Sequence, residues 1–313
     1  MKVHFWGVRG SIPSPLKQSE LKEKISAIIE QIRLEDIKDQ PARERFLNGL
    51  PPWLFGTVGG NTPCVSVSAE GFEEPIIFDC GSGLREMGIS LGFKKNAPKK
   101  YHIIFSHFHW DHVQGLPFFN PAYSSDISID FYSPNQNLED FLSSQMKYPY
   151  FPVKLENMLS NKRFISVDSP FSIGPVQAVF RAMNHPGGCF SYKLTHNGKS
   201  VIYATDTELS SEDFLKNDEN TNYFQNADLI ILDSQYTLSE ATEKYKWGHS
   251  AFNQSVEFAA SWGIKRLMLF HHDPAYNDQK VFSILQSAQW QLQEMNIKEL
   301  EVSLAYEGLE ITL

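Results

Sequence analysis

Four side chains that commonly bind metal ions lie close together in the segment SHFHWDHVQG: His107, His109, Asp111 and His112. Imidazole and carboxylate groups in combination suit zinc, manganese, iron or nickel. The apolar run HIIF precedes the segment, so a strand ending here would place His107 and His109 on one side. The turn that follows would direct Asp111 and His112 to a second centre about 3.5–4 Å away. The segment predicts a site for two metal ions. Histidines that are only solvated or cap a helix are disfavoured, since the pattern rarely arises by chance.

The composition is that of a globular protein with a sizeable core. The chain has 313 residues, of which 42% are hydrophobic. Neither the N-terminus MKVHFWGVRGSIP nor any later stretch resembles a signal sequence or the run of about 20 apolar residues that crosses a membrane. We therefore expect a cytoplasmic protein with no membrane partner. Cys64, Cys80 and Cys189 are odd in number and far apart, which predicts buried free thiols.

The charge balance bears on the kind of partner. The chain has 28 basic and 37 acidic residues, a net charge of −9, and no basic run longer than a pair. Proteins that bind long nucleic acids normally neutralise many phosphates with Lys and Arg. The sequence therefore disfavours a long nucleic acid and is compatible with a small anionic substrate held by metal ions.

Short strand patterns alternate with turns and helices through most of the chain. They run from the opening KVHFWG to ELEVSLA near the C-terminus, with helical patterns at about 137–147, 249–262 and 278–294. This alternation predicts an α+β fold with two sheets covered by helices.

A segment of different character occupies about residues 15–55. Leucine and isoleucine recur at helical spacing from Leu21 to Ile32 among Lys and Glu, and Gly-Leu-Pro-Pro closes the segment. We interpret it as a helical insertion on the surface of a single domain, serving as a cap or an oligomer contact. A helix that merely packs on the main core is the alternative.

The HxHxDH pattern resembles that of the metallo-β-lactamase superfamily, whose members share an αββα sandwich of two mixed β-sheets flanked by helices. The remaining ligands of the family pattern have candidates in the expected order: His185 in MNHPGG, Asp206 in VIYATDTE and His271 in RLMLFHH. The resemblance implies that one ion is held by His107, His109 and His185, that the other is held by Asp111, His112 and His271, and that Asp206 bridges them.

Three further positions bear on this assignment. Adjacent side chains of a strand face opposite ways, so only one of His271 and His272 can enter the site, and the family spacing favours His271. Asp79 in IIFDCGSGLR matches an aspartate of the superfamily that orients metal-binding histidines, although it could be an ordinary turn residue. His249 in KWGHS resembles the histidine of the ribonuclease Z segment GHST. It would contact the phosphate or donate a proton, unless it only caps a helix.

Other motifs resemble a bacterial and phage branch of small phosphodiesterases that includes the anti-Pycsar cyclic-nucleotide hydrolases. They are FWGVRGSIP, GGNTPC, SHFHWDHVQGLPFF, SSQMKYPYFPV, NHPGG, YATDTE and WGHS. The resemblance implies a homodimeric enzyme with two divalent ions, zinc or manganese, that converts a cyclic nucleotide or similar small cyclic phosphodiester to a monophosphate. A hydroxide bridging the ions would attack phosphorus, with Asp111, Asp206 and His249 as catalytic side chains.

The substrate contacts and the competing functions are less closely tied to motifs. Arg9 could approach the phosphate or pair with a surface acid, and Tyr150 and Phe151 could stack on the base or pack in their loop. Two other functions stay open: ribonuclease Z-like processing of transfer RNA 3′ ends, and a non-catalytic metal-binding scaffold. The acidic charge favours a small substrate over RNA, and the complete set of candidate ligands favours an enzyme over a scaffold.

Overall fold

The computed structural model describes residues 1–92 and 96–313. Within these residues the chain forms two seven-stranded β-sheets. The strands are β1 (Lys2–Gly7), β2 (Cys64–Ala69), β3 (Phe72–Phe78), β4 (Lys100–Ile104), β5 (Ser128–Ser133), β6 (Asn161–Ser166), β7 (Phe171–Ile173), β8 (Val176–Met183), β9 (Cys189–His196), β10 (Lys199–Ala204), β11 (Leu229–Asp233), β12 (Arg266–Phe270), β13 (Glu301–Leu304) and β14 (Glu310–Thr312).

Helices precede, follow and connect these strands. They are α1 (Gln18–Gln31), α2 (Leu34–Ile37), α3 (Gln40–Gly49), α4 (Pro52–Phe55), α5 (Gly83–Gly92), α6 (Trp110–Val113), α7 (Leu138–Gln145), α8 (Asp218–Phe224), α9 (Leu238–Glu243), α10 (Phe252–Ser261) and α11 (Asp278–Glu294). Short 3₁₀ turns lie at Leu116–Phe118, Asn120–Tyr123, Leu155–Asn157 and Ser211–Phe214. The helical patterns predicted at about 137–147, 249–262 and 278–294 correspond to α7, α10 and α11.

Both sheets are mixed. The first has the order β14-β1-β2-β3-β4-β5-β6, and β3 to β6 are parallel; the second has the order β13-β12-β11-β10-β9-β8-β7, and β10 to β13 are parallel. Strand β8 runs in the same direction as β10, because two antiparallel pairings separate them. The loops after β3, β4, β8, β10, β11 and β12 therefore follow carboxyl ends of like-directed strands, where open sheets of this kind bind ligands.

The core lies between the two sheets. The ring of Phe78 stacks on Tyr203 with centroids 4.7 Å apart, and Phe5 meets Phe270 at 6.2 Å. Every residue of β11 is buried, because helices cover the outer face of the second sheet while the first sheet covers its inner face. The fold class predicted from the sequence, an α+β sandwich of two mixed sheets flanked by helices, is confirmed.

The weakest strand patterns belong to the sheet edges. Strands β6, β7 and β14, which the sequence patterns do not indicate, each have a single neighbouring strand. β6, with the sequence NKRFIS, has no fully buried residue. An edge strand that is partly solvated carries little of the apolar alternation by which strands are recognised.

Residues 18–55 form helices α1 to α4, and their apolar residues do not all face the core. Leu21, Ile25 and Ile29 of α1 are 47%, 48% and 63% exposed. The inward side of α1 instead carries Lys24, which is buried and donates hydrogen bonds to the Asp278 carboxylate and, at 2.6 Å, to the Gly56 carbonyl. A buried ion pair, and not the apolar stripe, thus joins α1 to the start of α11.

Two smaller expectations can be checked against the fold. Cys64, Cys80 and Cys189 are buried and unpaired, as predicted. Among the described residues, each helix is too short or too polar to cross a bilayer.

Candidate metal centre

The first cluster of predicted ligands is built from three loops. His107 and His109 lie between β4 and α6, His185 follows β8, and Asp206 follows β10. The Nε2 atoms of His107 and His185 are 3.7 and 3.8 Å from Oδ2 of Asp206. Nε2 of His185 is 3.1 Å from Nδ1 of His109. All ligand atoms of the cluster lie within 4.8 Å of one another, close enough to surround one ion at bond lengths of about 2 Å.

The second cluster shares Asp206 with the first. Nε2 of His112 is 3.2 Å from Oδ2 of Asp111 and 3.1 Å from Oδ1 of Asp206. Nε2 of His271 is 3.2 Å from each of the same two oxygens. Asp206 therefore turns one oxygen to each cluster, the arrangement of a bridging carboxylate.

The charge state of Asp206 suits this role. Its burial favours the protonated form, but His271, His112 and His107 outweigh that effect and hold its pKa well below the usual range. Thr205 fixes the carboxylate by donating a hydrogen bond of 2.6 Å from Oγ1 to Oδ1. The bridging position is therefore occupied by an anion.

Two orphaned nitrogen atoms indicate that the residues fit metal ions. Nε2 of His107 and Nε2 of His112 are buried and have no hydrogen-bond partner. The Nδ1 atoms are engaged: His112 donates to Asp79 at 2.8 Å, and His107 lies 3.1 Å from Oγ of Ser106. A ring whose Nδ1 holds the proton presents a lone pair at Nε2, which is the form that ligates a metal.

Asp79 organises the rear of the site. It accepts hydrogen bonds from Nδ1 of His112 at 2.8 Å, from the backbone and hydroxyl of Ser106 at 2.8 and 2.7 Å, and from the hydroxyl of Tyr203 at 2.8 Å. These bonds set the tautomer of His112, in the way predicted for Asp79. Tyr203 and Ser106 were missed in the sequence, where no spacing links them to Asp79.

His271 and His272 face different surroundings. His271 donates from Nδ1 to Oε1 of Gln235 at 2.9 Å and turns Nε2 to the second cluster, whereas His272 donates from Nε2 to the carbonyl of Ala305 at 2.9 Å. The physical reason differs from the predicted strand alternation. β12 ends at Phe270, and His271 has a φ of 60°. A left-handed residue after the strand, and not the pleat of the strand, directs this side chain.

The same backbone conformation recurs around the site. Asp79 and Asp206 have φ values of 60° and 48°, and like His271 they come directly or almost directly after a strand. Left-handed conformations are uncommon for residues other than glycine, and they concentrate at functional sites where the surrounding structure imposes them.

His249 stands beside the second cluster, paired with an aspartate from the end of β11. Its Nδ1 donates to Oδ2 of Asp233 at 2.6 Å, and its ring stacks on that of His271 with centroids 5.0 Å apart. Burial opposes protonation of the ring, but the Asp233 carboxylate outweighs burial and raises the pKa of His249 to about 9. Helix α10 begins at Phe252 and its N-cap is Ala251, so His249 is not the helix cap. Asp233 was missed in the sequence.

The N-terminal loop closes over the second cluster. The backbone N–H of Ser11 donates to Oδ2 of Asp111 at 2.8 Å. A side chain at Gly10 would place its Cβ 2.5 Å from Nδ1 of His271, so only glycine fits there.

Arg9 of this loop has a structural role, which corrects its assignment as a substrate contact. Its side chain donates to the carbonyls of Gly59, Tyr276 and Asp273 at 3.0, 2.9 and 3.2 Å. The residue is only 3% exposed. A guanidinium that joins three buried carbonyl groups is not available to a substrate phosphate.

Tyr150 and Phe151 line a cleft of about 660 Å³ beside the metal loop. Phe108 and Trp110, which alternate with the ligands His107, His109 and Asp111, form another part of its wall. The ring of Phe151 packs edge-on against Phe118 at 5.6 Å, while Tyr150 is 79% exposed.

The fold and the paired clusters define a dinuclear metallo-hydrolase of the sandwich type, and comparison with known proteins agrees. The profile of the beta-lactamase superfamily domain matches residues 75–272. The chain therefore belongs to the metallo-β-lactamase superfamily and is a metal-dependent hydrolase.

Individual relatives are distant. A ribonuclease Z of Picrophilus torridus is 24% identical over 273 residues, covering 70% of this chain and 82% of the relative. The crystal structure of the metallo-beta-lactamase fold protein YhfI from Bacillus subtilis has a TM-score of 0.64 at 17% identity, covering 99% of this chain and 98% of that one. A diphosphatase of the PhnP family has a TM-score of 0.63 at 16% identity, covering 100% and 97% of the two chains. At these identities the structural likeness concerns the fold.

Proposed function

We propose that the chain is a dinuclear phosphodiesterase that hydrolyses a cyclic nucleotide or a similar small cyclic phosphodiester to a monophosphate. The observation that carries this proposal is the aromatic cleft, in which Tyr150 and Phe151 are joined by Trp110 from between two metal ligands. Its volume of about 660 Å³ is within the range of roughly 300–1,000 Å³ for small-molecule sites. Aromatic faces bind nucleobases by stacking. A base held in this cleft leaves its phosphate at the metal clusters.

The side chains of the site suit hydrolysis of a phosphodiester. Two divalent ions, zinc or manganese, held by the two clusters would supply an activated water and neutralise charge on phosphoryl oxygens. Asp111 is oriented by the N–H of Ser11, and Asp206 serves both clusters. His249, protonated beside Asp233, can hydrogen-bond to the phosphoryl group or donate its Nε2 proton to the departing ribose oxygen. No protein nucleophile is required.

Processing of transfer RNA is the second candidate, because the relative from Picrophilus torridus is named ribonuclease Z. Proteins that bind transfer RNA gain much of their affinity from contacts between basic side chains and many phosphates. The net charge of −9 favours the small substrate instead. We further expect a homodimer, as in the phosphodiesterases that the sequence motifs resemble.

The two candidates are separated by a substrate comparison. We expect manganese- or zinc-loaded protein to hydrolyse at least one of cyclic AMP, cyclic GMP, cyclic CMP and cyclic UMP with a higher kcat/KM than a precursor transfer RNA. The assay is run at moderate and at high salt, since RNA binding weakens steeply with salt. Efficient cleavage of the RNA at a defined 3′ position, with all cyclic nucleotides intact, would replace the proposed function by the ribonuclease.

A further inference from the structure

A second aromatic surface borders the metal clusters on the side of the second sheet. The turn that precedes His249 has the sequence Lys244-Tyr245-Lys246-Trp247, and its two aromatic residues are 68% and 62% exposed. We refer to residues 244–247 as the aromatic turn. No role for it follows from the substrate cleft, which lies on the metal loop of the first sheet.

The aromatic turn is held rigidly against the first metal cluster. Gly248, directly after it, accepts a hydrogen bond of 2.8 Å from Nδ1 of His185 and donates one of 3.2 Å to Glu208. A Cβ at Gly248 would lie 2.3 Å from that same Nδ1, so the backbone is in direct contact with a metal ligand. At the other end of the turn, Nζ of Lys244 is 3.3 Å from the Asp273 carboxylate and 4.2 Å from the centre of the Tyr236 ring. Trp247 is thus an exposed indole on a fixed backbone.

The two exposed tryptophans near the site lie on opposite sides of this cluster. Trp110, 82% exposed, follows His109 in the chain. The rings of His109 and His185 have centroids 4.9 Å apart, and His185 is hydrogen-bonded to Gly248, the neighbour of Trp247. The path from Trp110 to Trp247 therefore runs through two ligands of one metal ion, and each tryptophan belongs to a different sheet.

We propose that the aromatic turn binds a second nucleobase, so that the substrate carries a nucleoside on each side of the scissile phosphodiester. One base stacks in the cleft of Trp110, Tyr150 and Phe151, and the other stacks on Trp247. The exposed Lys246 adds a positive charge beside Trp247, suited to the second phosphate of a cyclic dinucleotide. This inference rests on the proposed phosphodiesterase function and narrows its substrate to the cyclic dinucleotide class.

The test compares a cyclic dinucleotide with a cyclic mononucleotide in Trp247→Ala and wild-type protein. Since stacking on an aromatic side chain contributes about 1–3 kcal/mol per base, we expect the ratio of the two kcat/KM values to fall about ten- to a hundredfold in the variant. Trp247→Phe should retain most of the ratio. Trp290→Ala is the matched control, because Trp290 is also 62% exposed but lies on α11.

Other outcomes overturn the inference in recognisable ways. An unchanged ratio would show that Trp247 contacts no second base, and an equal loss on both substrates would assign it to a single base or, if size-exclusion chromatography shows altered assembly, to an interface between copies. Wild-type protein that hydrolyses cyclic mononucleotides but no dinucleotide would refute this inference and leave the proposed function intact. Protein that binds metal and hydrolyses neither class would refute both.

Discussion

At the scale of single residues, the site is defined by which imidazole nitrogen each histidine leaves free. Asp79, Gln235 and the Gly248 carbonyl accept from the Nδ1 atoms of His112, His271 and His185. Each bond leaves the Nε2 atom directed at a carboxylate oxygen of the clusters. The hydrogen bonds behind the ligands thereby prepare the lone pairs that a metal ion needs.

His271 and His272 should differ in their effect on metal content. His271→Ala removes a nitrogen from the second cluster, so we expect about one ion per chain to be lost and turnover to fall sharply. His272→Ala removes a buried hydrogen bond to Ala305, which should cost about 1–3 kcal/mol of stability and leave both ions in place. Asp206→Ala should lower the occupancy of both ions. Elemental analysis of the purified variants measures this, and equal metal loss in the His271 and His272 variants would contradict the assignment.

His249 should act on the substrate and not on the ions. Because its Nδ1 is bonded to Asp233 and its Nε2 is free to donate a proton, His249→Ala should keep the metal content and lose about two to four decades of turnover. His196→Ala, a buried histidine on β9, serves as the control. Loss of metal in the His249 variant would make it a ligand, and unchanged turnover would make it structural.

At the scale of elements, the site depends on close approaches between loops that different strands supply. The loop before α10 reaches His185, and the loop after β1 reaches Asp111 and His271. In both cases a glycine allows the contact, since a Cβ would overlap with a histidine ring. The positions of the ligands are therefore coupled to the backbones of loops that contribute no ligand.

Gly248→Ala and Gly198→Ala separate steric overlap from backbone strain. Both glycines have positive φ, 86° and 71°, but a Cβ would meet Nδ1 of His185 at 2.3 Å in the first and nothing within 4 Å in the second. Each substitution should cost about 1–2 kcal/mol for the left-handed conformation. Only Gly248→Ala should also displace His185 and weaken metal binding, as measured by metal titration. Equal metal affinity in the two variants would show that the loop tolerates the overlap.

At the scale of the whole molecule, the ligands join the two sheets. His107, His109, Asp111 and His112 come from a loop of the first sheet, whereas His185, Asp206 and His271 come from loops of the second. Ions bound at the clusters would therefore link the two layers of the sandwich. The stability of the folded chain becomes a measure of metal binding that is independent of activity.

Removal of metal should lower the thermal stability of the wild-type protein. At free metal a hundredfold above its Kd, one ion stabilises the folded state by about 2.7 kcal/mol, which for a chain of this length corresponds to a Tm change of about 4 °C. A chelator should reverse this stabilisation in the wild type and have little effect on Asp206→Ala. Differential scanning calorimetry measures both, and an equal response of the two proteins would argue against metal bound at Asp206.

The sequence alone determined the chemistry of the ligands and the central strands. The ligand types are a local property, since HxHxDH places four of them in one short segment and apolar runs such as LIILD mark the strands whose ends carry the others. Both sheets follow from the same local alternation.

The tertiary structure alone decided the pairing of groups that are far apart in the chain. Asp233 with His249, Ser11 with Asp111, and Tyr203 with Asp79 are brought together by strand order, which no local pattern contains. Arg9 turned to buried carbonyls, and the apolar side of α1 turned to solvent, because the buried partners of both segments lie elsewhere in the chain: Tyr276 for Arg9 and Asp278 for Lys24. Side-chain type is fixed by the local sequence, but the partner of a side chain depends on contacts that form only when the sheets pack.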